Sequence, residues 1–181
     1  LAVARMQLTD YGNDNVPYES PSNKPIPATS MVLADGSAIL FDETQANTLN
    51  ADGITTMIFR SGQWVLWGSH NGNFEDGTEM EPRDVFDCGI RTMMYLTNDF
   101  QARYFPDVDK PLNRSRVDTI LNDSQIWLNS LVIDGKLLYA EISFDETSNP
   151  VSSIVEGDFI FDVFSTTVPA GKSLTFKVRY T

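Results

Sequence analysis

Few side chains in this sequence belong to the types that carry nucleophilic or metal-centred chemistry. His70 is the single histidine and Cys88 the single cysteine, so one copy of the chain cannot build a Cys/His zinc site or a disulfide. No turn resembles the nucleophile elbow that would present a serine to His70. We therefore predict that His70 is a surface or interface residue and that Cys88 is a buried, unreactive thiol.

Two further patterns resemble ligand-binding loops but fail at their defining positions. Residues 171–173 resemble the end of a phosphate loop, yet Thr166 stands where that loop needs its first glycine, and a strand is predicted to follow instead of a helix. The polar residues 71–79 resemble a calcium loop, but the glycine comes one position late and Pro82 occupies the place of the last glutamate. We predict no metal site and no cofactor.

Carboxylates are the remaining candidates for catalytic groups, because the chain holds 25 Asp and Glu residues. A glycoside hydrolase needs one pair of carboxyl groups about 5–10 Å apart, and so many acids supply such a pair by chance. A carboxylate-dependent glycosidase therefore stays open as an alternative function. No catalytic residue can be selected, and our main prediction is that the protein is not an enzyme.

The charge is strongly acidic and unevenly distributed. Thirteen Lys and Arg against 25 acids give a net charge of −12, which opposes binding to the phosphates of a nucleic acid. Residues 75–87 are rich in acid, whereas the last ten residues hold three basic residues and no acid. This split indicates contact between copies of the chain, or else two separately solvated surfaces. The proposed acidic partner patch consists of Glu75, Asp76, Glu79 and Glu81.

The sequence lacks the features of a membrane protein or a secretory precursor. No apolar run reaches the roughly 18 residues of a membrane span, so we expect no membrane partner. The chain begins with leucine, which suggests a fragment whose upstream part is missing. Residues 1–30 are polar and rich in proline and turn residues, and we interpret them as an extended connector from that upstream domain.

Residues 31–181 alternate between predicted hairpins and helices. Residues 31–41 are predicted to form a hairpin or a pair of short strands, and residues 53–67 a hairpin. Asp42 with Gln45 resembles a capping box for a helix over residues 43–50. Residues 69–81 form an acidic loop. A long helix then begins at Pro82, and its predicted buried stripe is Phe86, Ile90, Met93, Thr97, Phe100 and Tyr104.

A second long helix is predicted after Pro111, with Asn113 as its N-cap and Gly135 as its stop. Its predicted stripe contains Val117, Ile120, Leu121, Ser124, Trp127, Leu128 and Leu131. Strands are expected over residues 136–144 and 157–168, and strict alternation predicts a half-buried last strand over residues 173–180. The fold class is therefore α+β, with two long helices on one side of a mostly antiparallel sheet, as a two-layer sandwich.

Three segments, taken in order, resemble conserved parts of contractile tail sheath proteins. They are a PSN-K turn in residues 19–26, an N-LN--GI helix end in residues 46–54, and a W-LWG strand end in residues 64–68. Two helices, a glycine and terminal strands follow in the same order. The chain is thus similar to the C-terminal part of the sheath proteins of contractile-tailed phages, R-type pyocins and related injection machines.

This resemblance implies mechanical work without a bond-making reaction. Sheath subunits form stacked hexameric rings around a tail tube, and contraction rearranges the interfaces between subunits. Chain termini reach into neighbouring copies and complete their sheets, and residues 169–181 are the candidate C-terminal arm. The residues expected to contact a neighbour are Leu174, Phe176, Lys177, Val178, Arg179 and Tyr180.

The resemblance also implies the partners and the location. Besides other copies, the partner is the tail tube protein, with Lys110, Arg114 and Arg116 near the start of the second helix as the tube-facing candidates. The protein would lie in the tail sheath of the virion after assembly in the host cytoplasm. A different virion structural module or adhesin, such as a tube or baseplate component, is the alternative.

Overall fold

A computed structural model describes residues 1–171 and 174–179 of the chain. The chain divides into two compact units, Leu1–Tyr95 with Pro169–Thr181, and Leu96–Val168. The helices are α1 (Ala2–Gly12), α2 (Glu43–Ala51), α3 (Pro82–Val85), α4 (Asp87–Tyr104), α5 (Arg114–Ile133) and α6 (Val151–Glu156), with a 3₁₀ turn at Phe105–Asp107. The strands are β1 (Met31–Val32), β2 (Ala38–Ile39), β3 (Thr56–Arg60), β4 (Gln63–Trp67), β5 (Leu137–Ser143) and β6 (Asp162–Thr167).

The predicted α+β class is confirmed, but the strands do not form one sheet. The described residues form three two-stranded antiparallel sheets, in which β1 pairs with β2, β3 with β4, and β5 with β6. Each pair joins strands that are consecutive in the chain. The prediction that the strands share one sheet is therefore wrong. Alternation of apolar residues indicates which segments are strands, but it does not indicate which of them pair.

The first unit begins with a helix where an extended connector was predicted. Residues 2–11 contain no proline or glycine and several good helix formers, including Ala2, Arg5 and Met6, and α1 continues to Gly12. Asp14 and Asn15 then have positive φ angles of 56° and 64° and turn the chain. The prediction of an extended connector is therefore wrong for Ala2–Gly12. The predicted domain limits, residues 1–30 and 31–181, remain predictions.

Both predicted hairpins and the capped helix of the first unit are confirmed. The Asp42 carboxylate accepts a 2.7 Å hydrogen bond from the Gln45 amide, and the Gln45 side chain accepts one from the Asp42 amide. β3 and β4 turn at Ser61 and Gly62, whose φ angles of 52° and 82° fit the right-handed twist of a tight hairpin.

The core of the first unit lies on the two faces of the β3–β4 sheet. Ile26, Trp64 and Leu66 form one buried cluster, and Ala46, Ile58 and Val65 form a second. Residues 23–26 run along the other edge of β4, where the Ile26 amide donates to the Trp64 carbonyl at 2.9 Å. The loop with the predicted PSN-K turn therefore covers one strand edge and supplies one core side chain.

The buried stripe of α4 differs from the predicted one. Met93 is 40% exposed and Thr97 is exposed, whereas the buried side chains of this region are those of Val85, Cys88, Thr92 and Leu96. The helix is interrupted at Phe86, which pairs with His70 in an isolated β-bridge, and it restarts at Asp87. Thr92 can occupy the buried face because its hydroxyl donates to the Cys88 carbonyl at 2.8 Å, a pairing that apolar periodicity does not reveal.

The second unit is built on α5 and the β5–β6 sheet. Asn113 caps α5 as predicted, because its side chain accepts a 2.9 Å hydrogen bond from the Arg116 amide. The buried face of α5 contains Val117, Ile120, Ser124, Leu128 and Leu131, all of them from the predicted stripe. Gln125 joins the helix to β5 by donating to the Ala140 carbonyl and accepting from the Ile142 amide.

Gly53 offers a test of how tightly the acidic loop packs on the end of α2. A Cβ atom at Gly53 would lie 2.5 Å from the Asn71 carbonyl oxygen, whereas one at Gly62 would meet nothing within 4 Å. Both glycines have positive φ, so Gly62→Ala should cost only the left-handed strain of about 1–2 kcal/mol. Gly53→Ala should add overpacking and lower the free energy of unfolding by about 2–5 kcal/mol. Urea unfolding measures both, and equal losses would contradict the packing described.

Candidate interaction surfaces

The C-terminal segment, residues 169–181, presents a row of apolar side chains to solvent. Leu174 is 81% exposed, Phe176 83% and Val178 95%. The intervening Thr175, Lys177 and Arg179 are exposed as well. In an extended chain these two sets would lie on opposite faces, one apolar and one basic.

The prediction of a half-buried strand in this segment is wrong for the part that the structure describes. Residues 174–179 form no strand and bury no side chain. An alternating sequence forms a strand only when it can pair with a sheet edge and pack its apolar side chains on a surface. Within one copy, residues 174–179 neither pair with a strand nor bury a side chain. The predicted contact residue Tyr180, like the start of the predicted strand at Ser173, lies outside the described residues.

The acidic loop, residues 69–81, carries exposed carboxylates on an ordered backbone. Glu75, Asp76, Glu79 and Glu81 are all exposed, and their role as an acidic partner patch stays a prediction. The loop is fastened to α2 by the Asp76 amide, which donates to the Ala51 carbonyl at 3.2 Å. The Asn71 side chain closes the other end, because it accepts from the Asn73 amide and donates to the Asp84 carbonyl. The loop backbone is therefore anchored at Asn71 and Asp76.

His70 is buried, so its predicted place at a surface or interface is wrong. Its side chain is only 8% exposed, and its ring stacks on Phe74 with 3.7 Å between ring centroids. The Phe86 ring lies 4.9 Å away on a tilted plane. The imidazole thus joins the acidic loop to the break between α3 and α4, a structural role that the sequence spacing did not indicate.

The basic corner, residues 107–118, contains the three tube-facing candidates, and each has an acidic partner. Arg116 contacts Asp107 at 2.5 Å, and Lys110 lies 3.8 Å from the same carboxylate. Arg114, whose side chain is 80% exposed, lies 3.4 Å from Asp118. These pairs lie beside a groove whose lining includes Pro111, Leu112 and Thr119. The corner is therefore a set of partly exposed ion pairs and not a patch of unpaired positive charge.

The β5–β6 sheet has an exposed outer face. Tyr139 on β5 pairs with Thr166 on β6, and Glu141 pairs with Phe164. All four side chains are exposed, and the Phe164 side chain is 57% accessible. Ala140 and Ile142 point to the opposite face and are buried. Among the described residues each strand has one ladder, and the outer edge of β5 is bonded at Ala140 and Ile142 by the Gln125 side chain.

An ion cluster that sequence reasoning missed fixes α1 to the first unit. The Arg91 guanidinium donates to the Asp10 carboxylate and, at 3.3 Å, to Asp87. The Asp87–Arg91 spacing of four residues is visible in the sequence, but Asp10 lies 81 positions before Arg91. No local pattern connects such distant residues, so only the fold reveals the pair.

The described residues contain neither a metal-binding group nor a membrane span. They hold no cluster of three or more His, Cys, Asp or Glu side chains that could bind a metal ion. None of their helices is both long and apolar enough to cross a bilayer. Cys88 is buried as predicted, and burial raises the pKa of its thiol, as does the neighbouring Asp87 charge.

Comparison with known proteins identifies relatives of this chain by amino-acid sequence. The chain is 29% identical over 144 residues to the major tail sheath protein of Serratia phage KSP20, and 28% identical over 138 residues to the tail sheath protein of Escherichia phage P2. The matches cover 80% and 76% of this chain. The predicted resemblance to tail sheath proteins is confirmed. No family model matches the chain.

The fold comparison agrees with the sequence relatives. A chain of the anti-feeding prophage helical sheath in its contracted state superposes with a TM-score of 0.75 at 17% identity, over 99% of this chain. This chain covers 49% of that sheath chain, and it spans about a third of the two tail sheath proteins, 35% and 33% respectively. The similarity to tail sheath proteins therefore concerns a part of their length.

The ion cluster gives a pH-dependent prediction. Burial raises the pKa of the Asp87 carboxyl in the folded chain, so its contribution to stability is present at low pH and is lost as pH rises through that raised value. Asp87→Asn imitates the protonated group, and its chain should be at least as stable as wild type at pH 7. Asp10→Asn removes the charged partner of Arg91 and should cost about 1–3 kcal/mol.

Urea unfolding of both variants at pH 7 and at about pH 4 measures the effect. The stability difference between Asp87→Asn and wild type should shrink toward the acidic end, as Asp87 takes up its proton. A loss of stability at pH 7 in Asp87→Asn as large as that in Asp10→Asn would contradict the account.

Proposed function

We propose that this protein is a structural subunit of a contractile tail sheath, polymerised as stacked hexameric rings around a tail tube. The exposed apolar row of the C-terminal segment is the observation that carries the proposal, because one copy leaves these side chains in water. Burial of each large apolar side chain in a neighbour contributes about 1.5–3 kcal/mol before entropy is deducted. The work is done by interfaces, and no cofactor or catalytic residue is required.

The C-terminal segment acts as an arm that adds a strand to the sheet of another copy. Main-chain hydrogen bonds supply affinity in this mode of binding, and alternate side chains set the register. The β5–β6 sheet is the proposed receptor, and an arm that adds to β5 would have to displace the Gln125 side chain from Ala140 and Ile142. Flexible connection through Pro169, Ala170 and Gly171 would keep copies linked while they reorient during contraction.

Charge complementarity supports a second contribution from the same arm. Lys177 and Arg179 are exposed, and so are the carboxylates of the acidic loop. Opposite charges on two copies attract over roughly 10 Å at ordinary salt. We assign Glu75, Asp76, Glu79 and Glu81 of one copy as partners of the arm of another.

The tube contact is proposed at the basic corner. Arg114 is the most exposed of the three cations there, while Arg116 and Lys110 share Asp107. An acidic tube surface would have to exchange partners with these internal carboxylates, so the contact would be reversible and sensitive to salt. The location proposed for the assembled protein is the virion tail, after assembly in the host cytoplasm.

Electron microscopy of the protein expressed from its natural gene tests the arm. Val178→Lys places a charge on the apolar face, and we expect it to abolish the hollow cylinders that the unchanged protein forms. Thr175→Lys is the matched control, because it adds the same charge to the opposite face of the same segment. The arm proposal would be refuted if both variants formed cylinders equally well. It would also be refuted if the unchanged protein formed none.

The charge pairing makes a separate prediction. Lys177→Glu together with Arg179→Glu should weaken assembly, and the loss should be largest at low salt, where the attraction is least screened. Adding Glu79→Lys and Glu81→Lys to the same chain should restore assembly by exchanging the two signs. Light scattering during assembly measures the effect; assembly that does not respond to the first pair, or is not rescued by the second, contradicts the pairing.

A further inference from the structure

The side chain of Gln125 occupies the outer edge of β5. Its amide nitrogen donates to the Ala140 carbonyl at 3.2 Å, and its amide oxygen accepts from the Ile142 amide at 3.1 Å. In an antiparallel pair, every second residue turns its backbone groups away from the partner strand. Ala140 and Ile142 are two successive residues of this kind, so Gln125 bonds the side of β5 that faces away from β6.

The Gln125 amide is held in one orientation by its partners. A glutamine side chain offers two N–H donors and a carbonyl acceptor. Besides the Ala140 carbonyl, the amide nitrogen donates to the Asn129 side-chain oxygen at 2.8 Å, four residues further along α5. Because the Ile142 N–H needs an acceptor and the other two partners need donors, a flipped amide would lose all three hydrogen bonds. The side chain is also half-buried, which shields these bonds from water.

Gln125 takes the same backbone groups that an added strand would take. A strand that joins a sheet edge bonds to the outward carbonyl and amide groups along it. β5 has only seven residues, Leu137–Ser143, and Gln125 bonds at two successive outward positions within them. Proteins protect exposed edges in this way, because an open edge pairs readily with other chains. A strand can therefore pair along this edge only after the Gln125 side chain has left it.

We propose that Gln125 is an autoinhibitory contact, the Gln125 gate, which keeps the arm of another copy from pairing with β5 until its apolar row is also buried. The inference rests on the proposed function, in which the β5–β6 sheet receives that arm. Hydrogen bonds from the arm would replace hydrogen bonds from Gln125, so this part of the edge adds little net affinity. Burial of Leu174, Phe176 and Val178 then has to drive binding, and a segment without such a row is rejected.

A purely structural role for Gln125 makes the opposite prediction. If Gln125 only fastened β5 to α5, its removal would loosen the sheet and weaken binding of the arm. A gate predicts that removal strengthens binding, because the Ala140 carbonyl and the Ile142 amide then lack a partner until the arm supplies one. The sign of the change in affinity therefore separates the two roles.

Fluorescence anisotropy with a labelled synthetic peptide of residues 169–181 tests the gate on the 181-residue chain. Every chain in the test carries Val178→Lys, so that its own arm does not compete with the peptide. Gln125→Met keeps the side-chain length and the helix propensity but removes the amide. It should lower the Kd of the peptide about tenfold, which corresponds to about 1.4 kcal/mol. Asn122→Met is the matched control, because it adds the same side chain at an exposed position of α5 and should leave the Kd unchanged.

Amide hydrogen exchange at Ile142 shows whether the peptide binds at the gated edge. The Ile142 amide should be protected while Gln125 accepts its hydrogen bond, should lose protection in Gln125→Met, and should regain it when the peptide is added. An Ile142 amide that stays unprotected with the peptide bound would place the arm elsewhere and overturn the gate.

The affinities separate failure of the gate from failure of the proposed function. Equal Kd values for the Gln125→Met and Asn122→Met chains, or weaker binding by Gln125→Met, would overturn the gate and leave the arm proposal intact. Absence of peptide binding to every chain would overturn the gate together with the β5–β6 receptor.

Discussion

Apolar surface that one copy leaves exposed to water is the constraint on which this structure depends. The C-terminal segment keeps Leu174, Phe176 and Val178 exposed, and α1 does the same with Leu8 and Tyr11. A net charge of −12 makes copies repel one another, which favours association at faces where charge is absent or complementary. The two exposed rows lie on segments of different kinds, one a rigid helix and the other an irregular terminal chain.

The interior of the first unit supplies the rigidity that such contacts need. The acidic loop is closed by the Asn71 side chain, fastened to α2 at Ala51 and joined to Phe86 through the His70 ring. The buried His70 and Cys88 therefore serve packing, and their burial keeps both side chains away from solvent.

Sequence reasoning succeeded where a local interaction decides the structure. The Asp42 capping box, the Asn113 cap and the turn at Ser61-Gly62 each involve residues within four positions of one another, and each is confirmed. The stripe of α5 followed from its helical period, because one face of that helix is buried throughout. The resemblance to tail sheath proteins likewise rested on ordered local motifs and is supported by independent comparison.

The failures occurred where distant residues decide. The helix that begins at Pro82 breaks at Phe86, where that residue forms a bridge with the distant His70. The helix at Ala2–Gly12 exposes its apolar side because Asp10 pairs with Arg91 across 81 positions. The last strand was expected from alternation alone, but an alternating segment needs an edge to pair with, and residues 174–179 have no strand partner within the described part of one copy.

Amide hydrogen exchange of the C-terminal segment tests the central claim most directly. Residues 174–179 should exchange rapidly in the dispersed chain, because their backbone carries no ladder there. In the assembled particle, alternate amides of the same segment should become protected as they donate to a neighbouring strand. Exchange that remains equally rapid in the assembled particle would show that the segment lends no strand to another copy and would contradict the account.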